Sequence, residues 1–277
     1  MTNLNLPLVT ITSYAPSDVL RPFVDRYSVY EFNDVVDIIQ NLIPSNLQNV
    51  GFTLEGKMYS NIFLHNHEVS RSYVMGQITS PVIVCYGKKI KILVIHFHAS
   101  GMFRLFGIPM QQFTNRGMDF ESLLNPEDRK LVDHIFDTNL LENQMGWIEI
   151  LLQKRLASIK QTPPAYIQIA SQFVLYTHGK MKVQELAYKI NMSERTLQRH
   201  FSQQVGIKPK TFAGIARIKR TMQLIEQKPK LNWKDLAYTL DYTDQSHFIH
   251  EFKKFAGKTP SEYYRDRRDF EHILYGQ

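Results

Sequence analysis

The sequence predicts an α+β chain of two domains. A β-rich N-terminal domain of barrel or jelly-roll type with C-terminal helices spans 1–160, and an all-helical domain of two helix-turn-helix units joined by a linker helix spans 161–277. Three observations carry that prediction. Short segments rich in Val, Ile, Tyr and Phe alternate with turn signals as far as Gly101. Pro163 and Pro164 interrupt a helical pattern. A unit of about 25 residues occurs twice near the C-terminus.

The strand segments are "SVYEF", "NVGFTLEGKMYS", "SYVMGQI", "PVIVCYG" and "KIKILVIHFH", whose spacing suits a barrel or sandwich of antiparallel strands. From Met102 to Ile159 the pattern turns helical, and Trp147, Ile150, Leu151, Leu152 and Leu156 form an apolar stripe. That stripe either packs on its own domain or offers a dimer surface. The two prolines then push Thr162 and Pro163 toward extended geometry, which places the boundary near "SIKQTPPAY".

The repeat sets "LAYKINMSERTLQRHFSQQVGIKP" from Leu186 against "LAYTLDYTDQSHFIHEFKKFAGKTP" from Leu236. Each copy reads as a short helix, a tight turn and a second helix. Ala187 and Ala237 permit close helix crossing, and Asn191 and Asp241 fall at the turn, where a left-handed backbone suits them. Ser193 in the first copy, and Thr243 or Asp244 in the second, can accept hydrogen bonds from the free N–H groups of the next helix. Gly206 and Gly257 end that helix, and Pro209 and Pro260 begin the following segment. Leu197, Phe201 and Val205 match Phe248, Phe252 and Ala256 as the buried stripe. Opposite lie Arg195 and Arg199 in one copy and Ser246 and His250 in the other, flanked by Gln198 and Ile249.

Charge divides along the same boundary. The first 160 residues hold 14 Lys and Arg against 15 Asp and Glu, whereas the remainder holds 19 against 11, so the whole basic excess lies in the helical part. A localised basic face is the electrostatic footprint of a surface that meets nucleic acid. The N-terminal "MTNLNLPLVTITSYAP" has no basic leader, and "PVIVCY" and "ILVIHF" are too short to span a bilayer, so a cytoplasmic setting away from the membrane is expected. The single cysteine, Cys85, rules out an internal disulfide and any multi-cysteine zinc site.

Chemistry finds little footing. "HFIHE" offers His247 and His250 at helical spacing, but the repeat equates them with Thr196 and Arg199, neither of which ligates a metal. His65 with His67, and His96 with His98, each share one face of a strand. They support a ligand-sensing pocket at His96 and His98 or, as the rival reading, a cupin-like metal- or ligand-binding enzyme domain fused to a DNA-binding module. Cys85 lacks a neighbouring base, and no phosphate-binding glycine loop occurs, so no catalytic residue, metal or cofactor is expected.

The repeat and "DYTDQSHFIHEFKKFAGKTPSEYY" resemble the DNA-binding domain of the AraC/XylS transcription regulators over about the last 115 residues. "PKTFAGIARIKRTMQLIEQ" would be the linker helix, with Phe212, Ile215, Ile218, Met222 and Ile225 facing the core. Two departures stand out: Asp241 where that family usually has glycine, and His250 in place of a frequent arginine. "SDVLRPFVDRYSVYEF", "MGQITSPV" and "VIHFHASGMFRLFGIPMQQFTNR" more weakly resemble the regulatory domain of one branch.

The resemblance implies a bacterial regulator that reads double-stranded DNA through two recognition helices in successive major grooves. Its other implied partners are a small-molecule effector, RNA polymerase and a second copy of the chain. Base edges are assigned to Arg195, Gln198 and Arg199, and to Gln245, Ser246, Ile249 and His250. Phosphates are assigned to Ser193, Lys219, Arg220, Asp244, Lys253, Lys254 and Lys258.

Overall fold

The computed structural model describes residues 8–33, 38–63, 68–160, 163–227 and 232–265. Among the described residues nine strands form the N-terminal body: β1 (Leu8–Tyr14), β2 (Val24–Asn33), β3 (Ile38–Leu42), β4 (Gln48–Glu55), β5 (Met58–Ser60), β6 (Ser72–Met75), β7 (Val82–Tyr86), β8 (Ile90–Phe97) and β9 (Gly117–Asp119). Antiparallel pairing orders them as a six-stranded sheet β1-β2-β8-β4-β6-β9 and a three-stranded sheet β3-β7-β5. Among the described residues the β-rich body is thus two sheets and does not close into a barrel.

The large sheet is covered on both faces, which explains why β8 is apolar at nearly every position. Leu93, Ile95 and Phe97 point one way, joining Val50, Phe52 and Tyr27 in a core with the helices α1 (Gly101–Phe106), α2 (Pro126–Phe136) and α3 (Leu141–Ser158). Ile92 and Val94 point the other way, toward Val84 and Tyr86 of the small sheet. The helices of 102–159 are interrupted by β9, which pairs its Gly117 with Met75 on the sheet edge; the helical reading of that stretch therefore needs this correction. On α3 the buried stripe is Ile148, Leu151 and Leu152, packed on the chain's own domain. Ile150 is not part of it: 47% of its surface is exposed, because it lies on the outer side of the helix.

The C-terminal helices are α4 (Tyr166–Tyr176), α5 (Val183–Lys189), α6 (Glu194–Val205), α7 (Pro209–Gln227), α8 (Trp233–Thr239), α9 (Gln245–Ala256) and α10 (Pro260–Arg265). The long α7 is the keel of this part, burying Phe212, Ile215, Ile218, Met222 and Ile225 in one continuous core. Leu197, Phe201 and Val205 of α6 and Phe248, Phe252 and Ala256 of α9 enter the same core. Both tight turns carry a left-handed residue, Asn191 at φ 54° and Asp241 at φ 57°. A left-handed conformation costs an ordinary L-residue roughly 1–2 kcal/mol, and Asn and Asp are among the few that visit it routinely. Asp241→Gly should therefore leave stability unchanged or slightly raised, whereas Asp241→Val should lose about 1–2 kcal/mol in urea denaturation.

Candidate nucleic-acid interface and domain-junction cavity

Each unit presents its second helix in the same way. Ser193 opens α6, its Oγ accepting the Thr196 N–H at 3.2 Å, and Asp244 opens α9, its Oδ1 accepting the His247 N–H at 2.8 Å. Gly206 and Gly257 close these helices in the left-handed region at φ 96° and 77°. The faces turned away from the core expose Arg195, Gln198 and Arg199 on α6 and Gln245, Ser246 and His250 on α9. Ile249 is the exception in the set, half-buried against the core, so that only its outer edge is available.

The assigned cations separate into two groups. Lys253 and Lys254 are exposed in the last turns of α9, and Lys258 lies over the Tyr263 ring at 5.9 Å. Arg220 is half-buried, with Nη1 donating to Gln223 Oε1 at 3.4 Å. Lys219, expected among the phosphate contacts, instead lines a cavity in the N-terminal domain. Its side chain leaves α7 toward the sheets rather than outward, and burial together with the neighbouring Arg26 holds its ammonium below the usual lysine range.

The two units are joined by one guanidinium. Arg217 of α7 donates to Glu251 of α9 through Nη2 at 2.9 Å and through Nε at 3.3 Å, and its Nη1 donates to the Gly179 carbonyl at 2.8 Å. It also sits 5.3 Å from the centre of the Tyr242 ring. Glu251 is therefore committed to Arg217, while His247 stands edge-on to Tyr242 at 5.4 Å and His250 faces outward. Among the described residues no three His, Cys, Asp or Glu side chains converge on one point as a metal would require.

The cavity, of about 120 Å³, lies between the two sheets at the junction of the domains. Tyr30, Phe32, Tyr73, Ile92 and Val94 supply much of its apolar wall. Its polar end gathers Arg26, Asn49, His96 and Lys219. His96 is fixed by two strands: Nδ1 lies 2.8 Å from Asn49 Oδ1 and Nε2 3.3 Å from the Tyr30 hydroxyl. With Oδ1 the acceptor, Nδ1 carries the proton and Nε2 is left to accept from Tyr30. Burial, then Arg26 and Lys219, push the His96 pKa down to about 3, so the ring is neutral. His98, expected beside it, does not line the cavity. The strand ends at Phe97, so the alternation that would put both histidines on one face stops there, and His98 Nε2 instead meets the Arg21 carbonyl at 3.2 Å. His65 and His67 lie outside the described residues.

The domains meet through side chains that serve main-chain carbonyls. Gln48 Nε2 donates to the Val205 carbonyl at 3.0 Å, Thr114 Oγ1 to Gly206 at 2.7 Å, and Asn46 Nδ2 to Phe212 at 2.9 Å. The first two cap the C-terminal end of α6, whose last carbonyls have no partner within the helix. A side chain at position 206 would also press on the Met110 carbonyl, 2.9 Å from an added Cβ. This contact network was beyond reach of residue patterns, which cannot show which surface amides pair across domains.

Residues 186–266 match a family model described as a helix-turn-helix domain, and residues 12–119 match one described as a domain of unknown function, DUF6597. The Msm operon regulatory protein of Streptococcus mutans is 25% identical over 120 residues, covering 43% of each chain. An uncharacterized response regulatory protein of Staphylococcus epidermidis is 29% identical over 149 residues, 51% of this chain and 58% of that one. The chain thus spans about half the length of the curated relatives it matches. Among solved structures, ToxT from Vibrio cholerae is similar with a TM-score of 0.44 at 14% identity, covering 86% of this chain and 97% of that one. One ToxT structure is described as bound to an unsaturated fatty acid.

Two outcomes follow from this geometry. Arg217→Met leaves Glu251 uncompensated and should destabilise the protein by about 3 kcal/mol, much of it recovered in the Arg217→Met/Glu251→Leu double variant. For His96 the sign is that of a depressed base: below pH 6.5 the unfolded chain takes up a proton that the folded ring refuses. The protein should therefore lose up to about 1.4 kcal/mol per pH unit from this group as pH falls from about 6.5 toward 3, and His96→Gln should flatten that slope in urea titrations.

Proposed function

We infer that this chain, an AraC-type transcription regulator by its helix-turn-helix domain, reads a bipartite DNA site with its two recognition helices, α6 and α9. The observation that carries this reading is the repeat itself. Two copies of one unit bury the same stripe on a common linker helix and expose the same opposite face. In such a motif the N-terminal residues of the second helix meet base edges in the major groove. Two units on one rigid keel suit grooves roughly 34 Å apart along the duplex.

Within that reading, Arg195, Gln198 and Arg199 discriminate bases for the first unit, since arginine pairs bidentately with guanine and glutamine with adenine. Gln245, Ser246, His250 and the outer edge of Ile249 serve the second. Ser193 and Asp244, through the open N–H groups of their helices, join Arg220, Lys253, Lys254 and Lys258 in positioning the phosphates. Residues 161–277 form the DNA-binding domain and 1–160 a regulatory domain that senses a small-molecule effector at the cavity. Lys219 belongs to that cavity and leaves the phosphate set. The protein acts in the cytoplasm, as a dimer, and passes its signal to RNA polymerase; no catalysis is part of the reading. Among the described residues no helix is long and apolar enough to cross a membrane.

Selection of bound sequences from a random duplex library tests the reading, which a flat profile would defeat. On the selected site, Arg199→Ala should lose about 1–3 kcal/mol of discrimination at one base position. His250→Ala should cost less, because an imidazole lacks the forked, bidentate donor geometry of a guanidinium. Lys254→Ala should weaken all sequences alike and reduce the salt dependence of log K by about 0.9.

A further inference from the structure

Resting on the bipartite reading of DNA, we propose that two loops of the N-terminal domain, 76–81 and 114–116, form a clasp that sets the distance between the recognition helices and thereby selects the spacing of the half-sites. Asn115 closes the clasp, and Thr114 and Pro81 are the positioning residues through which it acts.

The clasp is made of segments without strand or helix, so side chains must hold its shape. Asn115 does so. Its Oδ1 accepts the Thr79 N–H at 2.7 Å, its Nδ2 donates to Thr79 Oγ1 at 3.0 Å, and its own N–H donates to the Gln77 carbonyl at 2.9 Å. The backbone turns there through the left-handed region, at φ 56°, which asparagine tolerates. Gly76 permits the close approach of the two loops, since an added Cβ would stand 2.6 Å from the Phe113 carbonyl oxygen.

Each arm of the clasp meets one recognition helix, and at the same place. Thr114 Oγ1 donates to the Gly206 carbonyl at the end of α6, where Gln48 also serves the Val205 carbonyl. On the other arm the Pro81 ring lies against Gly257 at the end of α9, its Cγ 3.1 Å from the place of an added Cβ. Gly206 and Gly257 are equivalent in the repeat. One piece of the first domain thereby touches both units at their helix stops.

A lever converts these contacts into spacing. The ion pair with Arg217 ties α9 to α7 at Glu251, which lies midway between Gln245 and Gly257, with about 9 Å of helix on either side. A tilt about that tie moves the base-reading end and the Gly257 end by similar amounts in opposite directions. Pro81 stops one such tilt, because Gly257 would run into its ring. The end of α6 is held by hydrogen bonds and serves as the fixed reference. One base pair of spacer displaces a half-site by roughly 3.4 Å, whereas a binding constellation tolerates misplacement of about 0.5 Å.

The test uses the full-length chain with Cys85→Ser and spin labels at Glu194→Cys and His247→Cys, which lie near the base-reading ends of α6 and α9. Pulsed electron resonance should give one narrow distance distribution. Asn115→Gly and Pro81→Ala should broaden it, whereas Asn115→Asp, which keeps an acceptor for Thr79, should leave it narrow. Glycine suits the left-handed position, so Asn115→Gly should still melt cooperatively; Thr79→Val, which removes the hydroxyl partner, is the second variant and should broaden the distances likewise. Selection from a random duplex library should return two half-sites at one preferred spacing for the unlabelled native chain. Asn115→Gly should return the same half-site sequences over several spacings, its penalty for one added or removed base pair falling roughly threefold to tenfold. Pro81→Ala should relax the spacing to one side only. Distances as narrow in the variants as in the native chain, spacing as strict as the native, or altered half-site sequences at unaltered spacing each overturns the proposal. If the native chain selects no paired half-sites, the bipartite reading and the spacing claim fall together; if it does and the variants keep its strictness, this proposal alone fails.

Discussion

The linker helix α7, through its shared core and one guanidinium, ties the two helix-turn-helix units together. Arg217 reaches from the linker helix to Glu251 on the second recognition helix and to the carbonyl of Gly179, in the loop that follows α4. The ion pair is largely shielded, with 18% of one side chain and 16% of the other exposed. A pair so placed adds little or nothing to stability compared with a well-packed apolar substitute, but breaking it is expensive, because a lone charge then stays buried. The pair ties α9 and the Gly179 loop to one point on α7.

The same helix carries the second control point. Lys219 is two residues beyond Arg217, which on an α-helix turns the side chain to a different face. One face of α7 thus holds the second unit, another packs the shared core, and a third reaches into the N-terminal domain. Lys219 thus links the cavity lining to the helix on which α6 and α9 pack. The first unit has a further tether, because Gln48 and Thr114 cap the C-terminal end of α6, the end away from Arg195, Gln198 and Arg199.

The helical half was legible in the sequence because its information is local and doubled. Asn191 and Asp241 at the turns, Ser193 and Asp244 as caps and Gly206 and Gly257 as stops each act through their own backbone, and the repeat gives every one a second witness. Lys219 was misread for the opposite reason. An outward lysine on a basic helix looks the same in sequence whether it meets solvent, phosphate or another domain. His98 failed because alternation holds only within a strand and β8 stops one residue earlier. The aim of Arg26 was equally hidden, since the shift in β2–β8 pairing between Val24 and Arg26, which sets Arg26 on the cavity side, leaves no compositional trace. Ile150 shows the limit of stripe counting, where an apolar residue one position off the buried face is simply exposed.

The junction between the domains mixes satisfied and unsatisfied polar groups. Its neutral hydrogen bonds from Asn46, Gln48 and Thr114 contribute about 1 kcal/mol each. Against them, the buried carboxamide oxygens of Asn46, Gln48 and Gln204 have no partner in the protein, and each costs a comparable amount. Across the same junction Ser100 Oγ donates to Gln168 Oε1 at 3.0 Å, Arg104 Nε donates to the Pro163 carbonyl at 3.3 Å, and Ile43 and Ala99 pack against the C-terminal core. The interiors on either side, with fully buried Phe52, Phe97, Phe201 and Phe252, are far more costly to open. A ligand at a hundred times its Kd adds about 2.7 kcal/mol to whichever arrangement binds it. That is small beside the cost of opening either core.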